Sequence, residues 1–328
     1  MSIEMQNGPE LSEEQVRLAS SSISNMISNI ETVIVGKHEK VELIVLTLLA
    51  QGHVLIEDIP GVGKTSLVSA LARTIDCGYK RIQFTPDVMP SDISGFSIYN
   101  QKTQEFEFVP GAAMSNIVLA DEINRASAKT QSAMLEIMEE RQVTVDSHTY
   151  KLESPFVVLA TQNPIESLGT YQLPEAQIDR FMIKISLGYP DFDNEMNILI
   201  GSKRAKADLG PVTDKDSVCR LIDMADKVYV SRQIISYIVQ IITATREHPD
   251  VKLGSSPRGG LALLALSKAY ALYKGRNFVK PGDVKYLAPF VLAHRLMLTH
   301  TAKTEKKPAD KVIRGILDTV MVPTGMEN

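Results

Sequence analysis

The segment LIEDIPGVGKTSL, residues 55–67, carries the strongest structural signal in this chain, because it joins an apolar strand to a helix through a glycine-rich turn. The strict pattern of a phosphate-binding loop is G-x-x-x-x-G-K-[ST]. Gly63, Lys64 and Thr65 match the end of that pattern, whereas Asp58 occupies the position of its first glycine. We predict that the loop is intact, since its first position only starts the turn and an aspartate there can bond its own loop backbone.

Each position of the predicted loop has its own task. Phosphates are held by backbone N–H groups at the start of the following helix, so the chain must bend sharply before it. Gly61 and Gly63 allow that bend, Pro60 stiffens it, Lys64 is expected to reach the outer phosphates, and the Thr65 hydroxyl is expected to ligate Mg²⁺. The predicted loop residues are Pro60, Gly61, Val62, Gly63, Lys64, Thr65 and Ser66.

Five short apolar runs predict a parallel sheet around this loop. They are HVLIE from His53, RIQF from Arg81, IVLAD from Ile117, FVVLATQ from Phe156 and FMIKISL from Phe181. Their β-branched residues and nearly unbroken hydrophobicity are typical of strands buried on both faces. Helical segments such as TSLVSALARTI and KTQSAMLEIMEER lie between some of them. The alternation therefore predicts a layered α/β domain with right-handed crossovers.

Polar residues end two of these runs, at the side of an α/β sheet where ligands bind. Asp121 would hold Mg²⁺ directly or through water, and Glu122 would act as the general base toward the attacking water. Asn163 could orient that water. The alternatives are an acid that stabilises a helix start and a turn-forming asparagine before Pro164.

Two arginines also stand at positions suited to a phosphate. Arg180 directly precedes the last apolar run, and Arg258 lies in SPRGG before a helix of the second half. Arginine pairs with carboxylates as readily as with phosphates, so these positions leave both roles open.

The second half of the chain has a different periodicity. Apolar residues at helical spacing begin near Val218, and Ser231 is a plausible cap of the next helix. We divide the chain into a mobile start at 1–12, an α/β domain at 13–190 and a helical domain at 191–328. Two inserts in the α/β domain, GFSIYNQKTQEFEFVPG and QVTVDSHTYKL, alternate as β-hairpins do.

Composition restricts the possible partners and location. A net charge of -4 argues against nucleic-acid binding by bulk electrostatics. Cys77 and Cys219 are far apart, which fits a reducing compartment. The longest apolar stretch, residues 41–50, is shorter than the roughly 20 residues that span a bilayer, and the start lacks the features of a secretory signal. We expect a cytoplasmic protein without membrane insertion.

Longer motifs carry a resemblance to a known family. EDIPGVGKT, QFTPDVMPSDISG, LADEINRA, ATQNPIESLGTYQLPEAQIDRF and SPRGG are very similar, in this order, to the MoxR family of AAA+ proteins. The resemblance runs from about Val33 nearly to the end of the chain. In that family the loop often reads E-D-x-P-G, so Asp58 resembles a family variant and not a damaged site.

The resemblance implies an α/β P-loop AAA+ core, with a five-stranded parallel sheet flanked by helices, followed by an all-α lid. It implies that Val35 and Gly36 pack near the adenine and that Asn163 is the sensor asparagine. Arg180 matches an arginine finger that acts on the neighbouring subunit's ATP. Arg258 matches a lid arginine that acts on the ATP of its own subunit.

The implied activity is hydrolysis of Mg–ATP to ADP and phosphate at the subunit interfaces of a homo-oligomer, expected to be a hexamer. Such proteins remodel, mature or load metal into client proteins, and their partners frequently contain von Willebrand A domains. Two alternatives stay open at this point: a nucleotide-gated binding scaffold with little hydrolysis, and an ATPase subunit similar to that of magnesium chelatase.

Overall fold

A computed structural model describes residues 10–58, 61–163, 171–190, 192–200 and 209–323, with the backbone alone at 197–200. Most of the predicted mobile start, 1–12, therefore lies outside the described residues, as does Pro60 of the predicted loop. The described chain begins just before a capped helix. The Ser12 hydroxyl accepts a hydrogen bond from the Gln15 backbone N–H at 3.2 Å, and the Gln15 side chain accepts one in return from the Ser12 N–H.

The described strands are β1 (Val54–Glu57), β2 (Tyr79–Gln83), β3 (Gly95–Asn100), β4 (Glu105–Pro110), β5 (Ile117–Asp121), β6 (Gln142–Val145), β7 (His148–Lys151), β8 (Val157–Gln162), β9 (Ile183–Ile185), β10 (Val251–Leu253) and β11 (Met297–Leu298). The described helices are α1 (Glu13–Glu31), α2 (His38–Leu49), α3 (Lys64–Thr74), α4 (Pro90–Ser94), α5 (Ala128–Glu140), α6 (Glu175–Ile178), α7 (Phe192–Ile200), α8 (Lys215–Asp226), α9 (Arg232–Glu247), α10 (Pro257–Tyr273), α11 (Pro281–Leu292), α12 (His300–Thr304) and α13 (Ala309–Thr319). Short 3₁₀ turns follow β5 and α11.

The five apolar runs form one parallel sheet, as predicted, in the order β2-β5-β8-β1-β9. Its alternating residues pack into two separate cores, one on each face. Ile117 and Leu119 of β5 belong to the core that includes α1, α2 and α3, whereas Val118 and Ala120 belong to the core that includes α5. Burial on both faces explains why these strands read as unbroken apolar runs.

Both predicted hairpins are present. The first pairs β3 with β4, and the second pairs β6 with β7. They contact each other through Phe108 and Tyr150, whose rings stack with their centroids 4.0 Å apart. Phe106, near the turn of the first hairpin, is 75% exposed, so this hairpin presents apolar surface to solvent.

The second half is mainly helical, as predicted, and we refer to it as the lid. Ser231 caps α9 through its hydroxyl, which accepts from the Ile234 N–H at 3.3 Å. The expected all-α unit also contains one antiparallel strand pair, in which Val251 of β10 faces Leu298 of β11. These strands are shorter than the four to eight residues over which alternation can be read from sequence, so the pattern could not reveal them. Within the described ranges, none of the helices is both long enough and apolar enough to cross a bilayer.

Candidate active site

The predicted loop and the predicted acids lie at one edge of the sheet. The loop follows β1, Asp121 is the last residue of β5, and Asn163 directly follows β8. Because β8 lies between β5 and β1 and all three strands are parallel, their carboxyl ends open side by side. The fold therefore brings together three motifs that are separated by about a hundred residues of sequence.

The loop has the backbone geometry that phosphate binding requires. Gly61 and Gly63 have φ values of +90° and +89°, in the left-handed region that a side chain strains. An added Cβ would meet nothing within 4 Å at either position, so backbone conformation and not space demands glycine there. Lys64 begins α3 immediately afterwards, which aims the first N–H groups of this helix toward the loop.

The side chains of the loop also suit an ATP-bound Mg²⁺. Thr65 and Ser66 are exposed at the start of α3, and Val62, in the turn before this helix, is half-buried. The Thr65 hydroxyl and the Asp121 carboxylate are oxygen donors of the kind that Mg²⁺ prefers. These donors fit the ion, and Lys64 adds a cation for the outer phosphates.

Asp58, the residue that departs from the strict pattern, is 5% exposed, and among the described residues its carboxylate bonds a distant segment of the chain. Its carboxylate accepts hydrogen bonds from the Ser186 hydroxyl at 2.9 Å, from the Leu187 N–H, and from the Gly188 N–H at 3.1 Å. Its backbone carbonyl accepts from Lys64 Nζ at 3.1 Å. The expectation of a local turn bond was therefore wrong: Asp58 ties the loop to the segment that follows β9.

Asp58→Gly would restore the strict glycine pattern, yet we expect it to destabilise the protein. The Leu187 and Gly188 N–H groups would lose their acceptor, and an unsatisfied buried group costs about 1–3 kcal/mol. Urea denaturation should show a loss of about 2 kcal/mol or more on this basis. Asp58→Asn, which keeps one oxygen acceptor, should lose less. A glycine variant as stable as the native chain would contradict this role.

Asp121 is 9% exposed and is fixed by two neighbours. Thr161 of β8 donates its hydroxyl proton to one carboxylate oxygen at 2.6 Å, and Arg81 of β2 pairs with the other at 2.7 Å. Both contacts fix the position of the carboxylate at the strand end. If a metal ion binds to Asp121, Arg81 would have to share or release the carboxylate oxygen that it contacts.

Glu122 has a left-handed backbone, with φ 57° and ψ 47°, which costs a non-glycine residue roughly 1–2 kcal/mol. Its N–H donates to the Thr161 hydroxyl at 2.9 Å, which supports this conformation. Its carboxylate accepts from Gln83 Nε2 at 2.9 Å and pairs with Arg125 Nε at 3.0 Å. Both contacts are made to the same carboxylate oxygen, Oε2, so side chains hold one of the two oxygens of the predicted general base.

The residues expected near the adenine lie in the turn between α1 and α2. Gly36 has φ +73°, and a Cβ there would stand 2.1 Å from the Asn194 amide nitrogen of α7. Val35 beside it is 40% exposed. Lys37 donates to the Tyr189 carbonyl at 2.8 Å. This turn therefore packs against the same stretch of chain, after β9, that begins with the partners of Asp58.

Arg180 and Arg258 lie together on the opposite side of the sheet, where β1 begins. Arg180 pairs with Glu139 at 3.2 Å, and Arg258 pairs with the other oxygen of the same carboxylate. All three residues line an open cavity of about 300 Å³ at the beginning of β1, where Gly52 and His53 also lie. Arg258, which was expected to serve the nucleotide of its own subunit, thus lies beside Arg180 at the end of β1 opposite the loop of that subunit.

His53 helps to build this second edge. Its Nδ1 accepts from the Val158 N–H at 3.0 Å, so its Nε2 carries the proton and donates to the Met138 carbonyl at 2.9 Å. Burial, with a smaller contribution from nearby Arg141, lowers the pKa of His53 to about 4, so the ring is neutral near pH 7. The neutral ring fixes the end of α5, and with it Glu139, against β1 and β8.

Sequence reasoning missed several residues of both edges. Thr161, Arg81, Gln83 and Glu139 each contact a predicted site residue. Thr161 could have been predicted as a site residue, because it is a polar residue close to the end of an apolar strand that leads to Asn163. The other three stand at ordinary exposed positions of strands and a helix, and nothing in the local pattern distinguishes them.

Comparison with known proteins gives a consistent result. The family described as "ATPase family associated with various cellular activities (AAA)" matches residues 53–183, and the family "AAA lid domain" matches residues 243–316. The chain is 52% identical to Bacillus subtilis YeaC, over 92% of this chain and 95% of that protein. It is 41% identical to the Mycobacterium tuberculosis protein named "Chaperone MoxR1", over 92% and 82%. A crystal structure from Cytophaga hutchinsonii has a TM-score of 0.89 with 38% identity, over 95% and 98% of the two chains.

Proposed function

Because the chain belongs to the MoxR family of AAA+ ATPases, we propose that it hydrolyses Mg–ATP at sites shared between neighbouring subunits of a ring. We further propose that hydrolysis drives the remodelling of client proteins, since a relative with 41% identity is named a chaperone. Residues 13–190 are the proposed AAA+ domain and residues 191–328 the proposed lid domain. A cytoplasmic location and a partner with a von Willebrand A domain stay predictions.

One observation carries the shared site: the phosphate loop and the two arginines lie at opposite ends of β1. This strand has four residues, which span about 13 Å at roughly 3.3 Å per residue. Arg180 and Arg258 of one subunit are therefore remote from the loop of that subunit. A head-to-tail contact between copies would bring this edge against the neighbour's loop, and contacts of that kind close into rings.

Within one site, each residue of the carboxyl edge has a proposed role. The N–H groups of Gly61 to Ser66 and the Lys64 ammonium bind the phosphates, with Thr65 and Asp121 in reach of the metal ion. Mg²⁺, when bound, neutralises charge on the phosphate oxygens. Glu122, which Gln83 and Arg125 hold at one carboxylate oxygen, accepts a proton from the attacking water. Asn163 orients that water.

The neighbouring subunit completes the site with positive charge. In the isolated chain, Arg180 and Arg258 both pair with the Glu139 carboxylate. The γ-phosphate of ATP bound to the adjoining subunit is also an anion, and it can replace this carboxylate as their partner. Arg258 is proposed to act in trans beside Arg180, because both arginines line the same cavity.

ATPase rate against protein concentration tests this proposal. A shared site requires assembly, so the rate per subunit should rise with concentration and level off when rings have formed. Mass photometry in ATP should show assembly over the same range, with hexamers as the expected product. A constant rate per subunit, measured where mass photometry shows monomers, would contradict the shared site while leaving the ATPase activity itself unaffected.

A further inference from the structure

Arg295 of the lid is a buried arginine that forms hydrogen bonds with the backbone on both sides of Arg180. It lies in the 3₁₀ turn after α11, and its side chain is 2% exposed. Its guanidinium donates to three backbone carbonyls of the segment before β9, which are those of Asp179 at 3.1 Å, Phe181 at 2.7 Å and Met182 at 3.1 Å. The lid thus holds the backbone immediately before and after Arg180.

Asp179, the residue before Arg180, ties the same segment to a second part of the lid. One carboxylate oxygen accepts from Arg295 Nε at 2.8 Å, and the other accepts from the Ser256 hydroxyl at 3.0 Å. Ser256 caps α10, the helix that carries Arg258. The carboxylate therefore joins the backbone of Arg180 to the turn after α11 and to the start of α10.

The chemistry of these contacts makes the junction rigid. A guanidinium has its donors in a fixed planar fork, so its partners must keep their relative positions. A buried charge that loses its partner is costly, which opposes any movement of the lid away from this segment. Motion of the lid should therefore carry the Arg180 backbone along with it.

We propose that Asp179 and Arg295 are positioning residues through which the lid of one subunit sets the place of Arg180 in the nucleotide site of the next. This inference rests on the proposed function, in which Arg180 acts in trans. It adds a route by which the lid conformation of one subunit controls hydrolysis in its neighbour. The competing interpretation is that the contact between Asp179 and Arg295 only stabilises the packing of the lid on the α/β domain.

Mixed assemblies separate these interpretations. An Asp179→Ala subunit keeps its own Lys64 and Glu122 but offers a misplaced Arg180. A Glu122→Gln subunit cannot activate water but offers a native Arg180. In a mixed ring, some Asp179→Ala sites face a native Arg180, so the ATPase rate of the mixture should exceed the average of the two separate proteins.

We expect Asp179→Ala alone to lose about tenfold to a hundredfold in kcat, because a misplacement of about 1 Å can cost that much. Its affinity for a fluorescent ADP analogue should match that of the native chain. Arg295→Lys should behave in the same way, because an ammonium retains the charge but cannot reproduce the fork to three carbonyls. It serves as the second variant if Asp179→Ala folds poorly.

The matched control is Asp283→Ala, which removes a buried carboxylate within the lid that is, like Asp179, paired with an arginine. Asp283 contacts Arg276 at 2.7 Å and caps the start of α11. If Asp179→Ala loses no more kcat than this control, or is not restored by mixing with Glu122→Gln, the positioning role is wrong. Arg180→Ala mixed with Glu122→Gln is run in parallel. Failure of that pair alone to complement would instead contradict the trans role of Arg180.

Discussion

Arg180→Ala is expected to lower kcat by about 10³-fold or more, because an arginine supplied in trans to a phosphoryl-transfer site contributes about 10³–10⁵. The planar guanidinium would neutralise charge on the γ-phosphate as the bond to the leaving oxygen breaks. Nucleotide affinity should change little, since the loop and Lys64 of each subunit are intact. The measurements are kcat from steady-state ATPase assays and the dissociation constant of a fluorescent ADP analogue.

Complementation makes this prediction specific to a shared site. Arg180→Ala and Glu122→Gln should each be slow alone, and a mixture should be faster than the average of the two. Arg17→Ala, at an exposed position of α1, controls for the loss of one positive charge. A normal rate in the Arg180 variant would leave this arginine with the structural role that its contact with Glu139 also allows.

Glu122→Gln is expected to abolish turnover while it preserves ATP binding. A positioned general base contributes about 10²–10⁴ to the rate, and an amide cannot accept the proton. The amide is nearly the same size as the carboxylate and can still contact Gln83, so the backbone at this strained position should be preserved. The measurements are kcat, nucleotide affinity, and the mass of the assembly that forms in ATP.

Glu57→Gln is the matched control for this second variant. Glu57 ends β1, which is separated from β5 by β8 alone, and it pairs with Lys184 at 2.6 Å and accepts from Gln162 at 2.7 Å. It has a carboxylate at the same edge of the sheet but no proposed contact with water or phosphate. Normal turnover in Glu122→Gln would remove Glu122 from its proposed role. An equal loss in both variants would indicate a general effect of charge at this edge.

The elements of the core could be predicted from the sequence because they depend on local patterns. Five apolar runs became the five strands, since burial on both faces requires nearly every residue of a strand to be apolar. The loop and its helix followed from Gly61, Gly63 and Lys64, where backbone conformation restricts the choice of residue. The hairpins followed from alternation. The proposed roles of Glu122, Asn163 and the two arginines remain predictions.

Only the tertiary structure decided which side chains meet. Asp58 has its partners near Ser186, Arg258 shares Glu139 with Arg180, and Arg295 holds the chain around Arg180. These pairs are tens to more than a hundred residues apart in sequence. Periodicity records whether a residue is buried and on which face. The partner of a polar residue depends on strand order and on the docking of the lid, which arise from the packing of the whole chain and leave no local pattern.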